Sequence, residues 1–337
     1  MLILEDRSRF PGTLPFGGKV SAEVVFTTGM CGYTESLTDP SFAGQILVFT
    51  YPMIGNYGVD EAQKESAKIH VSGVIVNESC EKWSHHAGMR SLLEWLKEEN
   101  VPLMTDVDTR ALTKKLRTHG TMQGTMSSDA LFERPKRQHL VSLVSAVQKR
   151  VYGKGKRVIA VDCGMKENIL RQLQRFPVEV VRVPYDYDYS DEPFDAVFLS
   201  NGPGDPVECT ETIAVLRKVM AKQKPIFGIC LGSQLLALAA GAKSYKLPFG
   251  HRGQNQPCVE VATKRCYITS QNHGYAIDEQ TLPDGWEVTF RNLNDGSVEG
   301  IAHKTLPFYS VQFHPEAAPG PTDTSWLFER FYHCLNS

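Results

Sequence analysis

Apolar runs alternate with amphipathic stretches through the second half of the chain. Compact apolar runs at 157–162, 178–183 and 196–200 predict buried strands. Helix-type spacing predicts helices over 165–176 and 210–223. Strands that alternate with helices in this way favour a parallel sheet with helices on both faces, which is a doubly wound α/β fold.

The first part of the chain shows a different pattern, because strand signals are more frequent there and are separated by Gly, Pro, Asp and Ser. Predicted strands lie at 2–5, 23–28, 45–51, 71–76 and 101–104. Apolar positions at helical spacing predict helices over 91–100 and 108–117, the second with Asp108 as its N-cap. We therefore expect a β-rich α/β domain before the doubly wound one.

A basic segment separates the two patterns, since residues 132–157 contain a single acidic residue, Glu133. Its glycines and lysines around 151–156 are typical of a flexible connector. We predict an N-terminal domain over 1–145, a linker over 146–156 and a C-terminal domain over 157–337. A solvated linker is favoured over a nucleic-acid-binding patch.

Composition excludes several function classes. The net charge of −2 gives no indication of nucleic acid or an anionic membrane as partner. No apolar run reaches 18 residues, and the acidic start after three apolar residues is unlike a signal peptide. The eight cysteines form no C-x-x-C pair, and His85 and His86 are expected to point apart on the surface, so no metal site is predicted. These features predict a cytoplasmic protein with free thiols.

One cysteine stands at a junction suited to catalysis. Pro225–Ile229 predicts a short buried strand and Leu231–Ala240 a helix closed by Gly241. Cys230 lies between them, flanked by Gly228 and Gly232, as in the tight strand-to-helix turn called a nucleophile elbow. The helix N-terminus favours a thiolate there. The alternative is a buried structural cysteine.

Two further stretches favour the catalytic interpretation. Residues 197–206 predict a strand that runs into the turn Gly202-Pro-Gly204, whose backbone N–H groups can form an anion-binding nest. Residues 308–316 predict a strand that ends in His314-Pro-Glu316. Residues two apart in an extended chain share a face, so a histidine base and a carboxylate that orients it would lie together.

The motifs Gly-Ile-Cys-Leu-Gly, Ser-Asn-Gly-Pro-Gly-Asp-Pro and Gln-Phe-His-Pro-Glu, in this order, resemble those of class I glutamine amidotransferases. Further stretches, among them 32–41, 51–56, 107–110 and 271–274, are similar to the small, glutamine-hydrolysing subunit of carbamoyl-phosphate synthetase. The resemblance covers nearly the whole chain. It implies a flavodoxin-like amidotransferase domain after a small-subunit N-terminal domain.

The resemblance also implies roles for individual residues. Cys230, His314 and Glu316 would form the catalytic triad, and the N–H groups of Gly202 and Leu231 would stabilise the oxyanion. The implied contacts to L-glutamine are made by Ser41, Gly202, Gly204, Leu231, Gln234, Asn272, Gly274 and Tyr275. Ala22 stands where the family usually has Gly, and Tyr275 where Phe is common.

The resemblance further implies a large partner subunit that uses ATP and Mg²⁺, with no cofactor in this chain. The sequence contains no G-x-x-x-x-G-K-[ST] loop. The product would serve arginine biosynthesis, pyrimidine biosynthesis or both. Two alternatives remain open: a glutaminase for another synthase, of the anthranilate or GMP type, and a catalytically silent docking subunit. Because the chain ends at Ser337, it is expected to carry no synthetase portion itself and to be either a separate subunit or an excised glutaminase region.

Overall fold

The computed structural model describes residues 1–129 and 131–336. The chain forms two compact units, one of residues 1–138 with 248–253, and one of residues 139–247 with 254–337. The last residue of the predicted C-terminal domain, Ser337, lies outside the described residues. The division thus falls earlier than the predicted boundary, and a short piece of later sequence belongs with the N-terminal unit.

The N-terminal unit contains a mixed sheet of eight strands in the order β2-β1-β10-β4-β5-β7-β9-β3, with β6 and β8 paired separately. Its strands are β1 (Leu2–Leu4), β2 (Arg9–Phe10), β3 (Thr13–Phe16), β4 (Val20–Thr27), β5 (Gln45–Phe49), β6 (Met53–Ile54), β7 (Gly73–Ile75), β8 (Glu78–Ser79), β9 (Leu103–Thr105) and β10 (Met122–Met126). Its helices are α1 (Tyr33–Thr38), α2 (Leu92–Glu98) and α3 (Thr109–His119).

Both predicted helices of this unit are confirmed, and the second has the predicted N-cap Asp108. Ser91 and Glu94 form a reciprocal capping box at α2, and the Asp108 side chain accepts the N–H of Ala111 at α3. Leu92, Trp95 and Leu96 are the buried residues of α2. The β-rich character predicted for this region is also confirmed.

The C-terminal unit is built on a sheet of ten strands in the order β11-β13-β12-β14-β15-β20-β19-β18-β16-β17. Its strands are β11 (Arg150–Gly153), β12 (Lys156–Asp162), β13 (Val178–Pro184), β14 (Ala196–Leu199), β15 (Ile226–Ile229), β16 (Lys243–Glu260), β17 (Cys266–Asp278), β18 (Trp286–Asn292), β19 (Val298–His303) and β20 (Phe308–Val311), with residues 248–253 of β16 in the N-terminal unit. Its helices are α4 (Leu140–Val144), α5 (Glu167–Leu173), α6 (Thr210–Met220), α7 (Leu231–Ala240) and α8 (Trp326–Cys334).

The predicted doubly wound fold is confirmed by the centre of this sheet. Strands β13, β12, β14, β15 and β20 are parallel neighbours in that order, which is the flavodoxin-like order. Alternate side chains of the strands enter two separate apolar cores: Ile159 and Val161 lie in one, and Val158 and Ala160 lie in the other. Helices α6 and α7 contribute to the first core and α5 and α8 to the second. The sheet is therefore covered on both faces.

Two sequence-based expectations are wrong. The segment predicted as a flexible linker, 146–156, contains β11, which pairs with β13 and turns directly into β12, because an edge position lets its outer side chains stay solvated. His85 and His86 are exposed as expected, but their rings lie together, with centroids 4.3 Å apart.

No helix in the described part of the chain is long and apolar enough to cross a membrane.

The turn from β11 to β12 yields a stability prediction. Gly155 has a φ of +131°, and an added Cβ would lie 2.0 Å from Pro177 O. Gly155→Ala should therefore lower the free energy of unfolding beyond the roughly 1–2 kcal/mol of backbone strain alone. Gly296→Ala is the matched control, because Gly296 also has a positive φ but open space around it. Urea denaturation of both variants measures the difference, and equal losses would contradict the prediction.

Candidate active site

The sheet brings three predicted site segments to one edge. The loop with Gly202 follows β14, Cys230 follows β15, and His314 lies three residues after the end of β20. These strands are adjacent and parallel, so their carboxyl ends lie at the same edge of the sheet. That edge is where ligands bind in open α/β sheets.

Cys230 occupies a strained turn that only its two flanking glycines permit. Its φ of 54° and ψ of −107° are unusual for a residue with a side chain. A Cβ on Gly228 would lie 2.5 Å from Gly232 O, and one on Gly232 would lie 2.4 Å from Leu199 O. The predicted elbow is therefore present, and α7 begins with Leu231 directly after the thiol and ends at Ala240 as predicted.

His314 and Glu316 form the predicted buried pair. The Nδ1 atom of His314 lies 2.7 Å from Glu316 Oε1, and both side chains are almost completely buried. The backbone N–H of His314 donates to Ser270 O at 2.9 Å, which fixes the segment beyond the end of β20. Among the described residues, His314 Nε2 has no hydrogen bond of ordinary geometry, and catalytic contacts are often long without substrate.

Electrostatic interactions favour the charged forms of this pair. Burial opposes the imidazolium, but Glu316 and the neighbouring Cys230 outweigh it and raise the pKa of His314 to about 10. Burial likewise opposes the carboxylate, but Lys166 and His314 outweigh it and lower the pKa of Glu316 to about 2. The pair is therefore a carboxylate beside a cationic imidazole, which suits a cysteine nucleophile.

Lys166, which the sequence motifs do not indicate, is a buried cation at this site. Its Nζ lies 3.1 Å from Glu316 Oε1 and also donates to Ala317 O, and its side chain is 3% exposed. Its backbone N–H donates to Asn201 Oδ1 at 3.1 Å, next to the Gly202 loop. Lys166 lies in the loop after β12, so the rule that sites lie at strand ends was the available signal. The lysine thus links the triad carboxylate to the predicted oxyanion loop.

The predicted glutamine-binding segment, residues 272–275, lies within β17 and contacts Cys230. Cys230 Sγ lies 3.6 Å from Asn272 O, and Gln234 Nε2 donates to Tyr275 O at 2.9 Å. Gln234 is one helical turn after Cys230, so both side chains meet the same segment. Gly274 lies within this segment, and Gln312 Oε1 accepts a second bond from Gln234 Nε2 at 3.0 Å.

The remaining predicted residues have different environments. Gly202 lies beside Leu231, because an added Cβ would be 2.8 Å from Leu231 Cδ2 and 2.1 Å from Cys163 O. Gly204 has a φ of +89° in the same loop. Ser41 is buried in the N-terminal unit, in a single 3₁₀ turn that Asp39 caps by accepting the Ser41 N–H. The oxyanion role of the Gly202 and Leu231 N–H groups and the glutamine contact of Ser41 stay predictions.

Comparisons with known proteins cover both units. Residues 159–334 match the family model described as glutamine amidotransferase class-I, and residues 2–126 match carbamoyl-phosphate synthase small chain, CPSase domain. The carbamoyl phosphate synthase small chain of Caldanaerobacter subterraneus subsp. tengcongensis is 47% identical over 98% of this chain and 94% of its own length. The arginine-specific small chain of Aspergillus oryzae is 48% identical over 93% of this chain and 75% of its own length.

Two larger multifunctional proteins are similar to this chain over a small fraction of their own length. The multifunctional protein CAD of Squalus acanthias is 47% identical over 99% of this chain, and this chain spans 16% of that protein. The multifunctional protein pyr1-3 of Dictyostelium discoideum is 46% identical over 98% of this chain, which again spans 16% of the relative.

The buried ion pair at Lys166 yields a prediction about stability and pH. Glu316 has a folded pKa well below its ordinary 4.5, so its stabilising contribution is complete above about pH 4.5 and is lost as the pH falls towards 2. Lys166→Met removes the main cation, and breaking a buried pair costs about 3–5 kcal/mol. The difference in free energy of unfolding between the parent protein and Lys166→Met should therefore be largest near neutral pH. It should narrow below about pH 4.5.

Denaturant unfolding at several pH values measures that gap. Lys304→Met removes an exposed lysine from the same unit and should stay within about 0.5 kcal/mol of the parent protein throughout. A gap for Lys166→Met that widened as the pH fell would contradict the charge assignment.

Proposed function

Because this chain belongs to the carbamoyl-phosphate synthase small-chain family, we propose that it hydrolyses L-glutamine to glutamate and ammonia and supplies the ammonia for carbamoyl-phosphate synthesis. The observation that carries this proposal is the strained Cys230 turn beside the buried His314–Glu316 pair. A thiol, a base and an orienting carboxylate are the groups required for cysteine-dependent amide hydrolysis.

The chemistry proceeds in two halves. The Cys230 thiol gives its proton to His314 and its sulfur attacks the side-chain amide carbon of glutamine, after which His314 donates that proton to the departing ammonia. The resulting thioester is hydrolysed by water, from which His314 takes a proton, and glutamate leaves. Glu316 keeps Nδ1 of the imidazole protonated and its ring oriented, which the 2.7 Å contact supports.

Stabilisation of the oxyanion and selection of glutamine are assigned to the surrounding segments. The N–H groups of Gly202 and Leu231 would hold the transient oxyanion, and one such donor is typically worth about 3–4 kcal/mol. Gln234, Gly204, Asn272, Gly274 and Tyr275 would bind the amino-acid end of glutamine. The contacts of Gln234 and Cys230 with the 272–275 segment support this assignment. Ser41 would make a further contact to the substrate.

We assign the ATP-dependent steps to a large partner subunit. Activation of bicarbonate and phosphorylation of carbamate require ATP and Mg²⁺, which the partner would bind, and an enclosed path would carry ammonia to it. The carbamoyl phosphate would serve arginine biosynthesis, pyrimidine biosynthesis or both, and the name of the arginine-specific relative from Aspergillus oryzae supports the first of these uses. All eight cysteines lie in the described residues and are free thiols, which suits the cytoplasm.

The two alternative functions are less well supported. A glutaminase of the anthranilate or GMP synthase type would not account for the small-chain match over residues 2–126. A catalytically silent docking subunit would have no need of a strained cysteine or of a buried His314–Glu316 pair.

The proposed function is tested by Cys230→Ser. The serine fits the turn, but its hydroxyl is a far weaker nucleophile than a thiolate, so glutamine hydrolysis should fall by about 10⁴-fold or more. With the partner, ATP and bicarbonate present, free ammonia should still support synthesis. Cys266→Ser is the control, because Cys266 is an exposed free thiol. Substantial glutamine hydrolysis by the purified Cys230→Ser protein would refute the proposal.

Coupling to the partner gives a second prediction. A partner that has bound ATP and bicarbonate should favour the arrangement in which His314 Nε2 forms a hydrogen bond with the Cys230 thiol. That contact lacks ordinary hydrogen-bond geometry in this structure. The isolated chain should therefore hydrolyse glutamine slowly, and the partner with bound ATP and bicarbonate should raise kcat about 5- to 150-fold. Steady-state assays with and without the partner measure this, and a rate unaffected by the partner would contradict the coupling.

A further inference from the structure

A buried carboxylate near His273, in the predicted glutamine-binding segment 272–275, has no part in the proposed mechanism. Glu299, on β19, has a side chain with no exposed surface. Its Oε1 accepts a hydrogen bond from Asn292 Nδ2 at 3.3 Å and lies 3.7 Å from His273 Nε2. An ionised carboxylate in such a position is costly unless a cation and hydrogen bonds compensate it. Its environment therefore suits a cationic His273.

Both ring nitrogens of His273 face oxygen acceptors. Nδ1 lies 2.8 Å from Tyr275 O, and Nε2 lies 3.1 Å from Gln271 Oε1. A backbone carbonyl accepts only, and Gln271 directs its Nε2 to Thr269 Oγ1 and Cys258 Sγ, which leaves its Oε1 for the histidine. A neutral imidazole has a single N–H and could make only one of these two bonds. The arrangement therefore calls for the doubly protonated ring.

His273 is joined to the active site through Tyr275. The Tyr275 carbonyl accepts from His273 Nδ1 and also from Gln234 Nε2, at 2.8 and 2.9 Å. At the other end of the same segment, Asn272 O lies 3.6 Å from Cys230 Sγ. The position of residues 272–275 relative to the nucleophile thus depends on a histidine that donates from both nitrogens.

We propose that Glu299 is a positioning residue for glutamine binding, which holds His273 as an imidazolium and thereby fixes the 272–275 segment beside Cys230 and Gln234. This inference rests on the proposed glutaminase function. Glu299 touches neither the thiol nor the triad, so its effect is on substrate affinity rather than on the chemical steps. The backbone of Glu299 adds to the same support, because its carbonyl accepts the N–H of Gln312, whose side chain contacts Gln234.

The kinetic test is Glu299→Gln, which keeps the size of the side chain and an oxygen for Asn292 but removes the charge. The KM for glutamine should rise about tenfold, as expected for loss of a charge-assisted contact, while kcat stays within about twofold. Glu287→Gln is the matched control, because Glu287 is an exposed glutamate on the adjacent strand β18. An unchanged KM, or a loss confined to kcat, overturns the proposal.

Nitrogen NMR of histidine-labelled protein tests the charge state directly. Both His273 ring nitrogens should show the imidazolium signature at neutral pH, and Glu299→Gln should give a ring with one bare nitrogen. His273→Asn identifies the signals among the ten histidines. A neutral His273 ring in the parent protein overturns the proposal even if no variant folds. If the parent hydrolyses no glutamine, the proposed function fails, and this spectrum still decides the Glu299–His273 interaction.

The two single variants should also be coupled. If Glu299 acts through His273, adding Glu299→Gln to His273→Asn should raise KM no further than His273→Asn alone. Independent, additive increases would show that Glu299 acts by another route and would overturn the proposal.

Discussion

The close backbone approach around Cys230 is the constraint on which the rest of the site depends. Cβ atoms at Gly228 or Gly232 would lie 2.5 and 2.4 Å from neighbouring backbone oxygens, which is closer than the donor and acceptor atoms of a hydrogen bond. The turn can therefore adopt a conformation that is unfavourable for Cys230 itself. Because α7 starts immediately after this turn, the same constraint decides the direction of Gln234 and the position of Leu231.

The second constraint is the cost of burying charged side chains. It is met by three buried groups whose charges alternate in sign. Lys166, Glu316 and His314 are each almost completely buried and in contact in that order. A buried ion pair is weak evidence for stability, since desolvation cancels much of the attraction. Its value here is geometric: the cation on one side of Glu316 and the imidazole on the other hold the catalytic ring in a single orientation. Glu299 and His273 form a second buried carboxylate–imidazole pair, with 3.7 Å between Glu299 Oε1 and His273 Nε2.

Local sequence was sufficient wherever a feature depends on a few consecutive residues. The boundaries of α7, the caps of α2 and α3 and the pairing of His314 with Glu316 follow from side chains within four residues of one another. Local composition misled at 146–156, where glycines and lysines resembled a linker. That segment forms an edge strand because β13 offers it a partner, and pairing with a distant strand leaves no local signature.

The sequence by itself determined the alternation of strands and helices over residues 157–240 and the strand-end positions of Cys230, Gly202 and His314. These depend on hydrophobic periodicity and turn chemistry, which act over short distances. The tertiary structure alone decided that Lys166 meets a carboxylate 150 residues away and that both ring nitrogens of His273 face oxygen atoms beside Glu299. Such contacts join residues that are far apart in the sequence, and the burial that makes their charges consequential arises only when the sheet is assembled and covered.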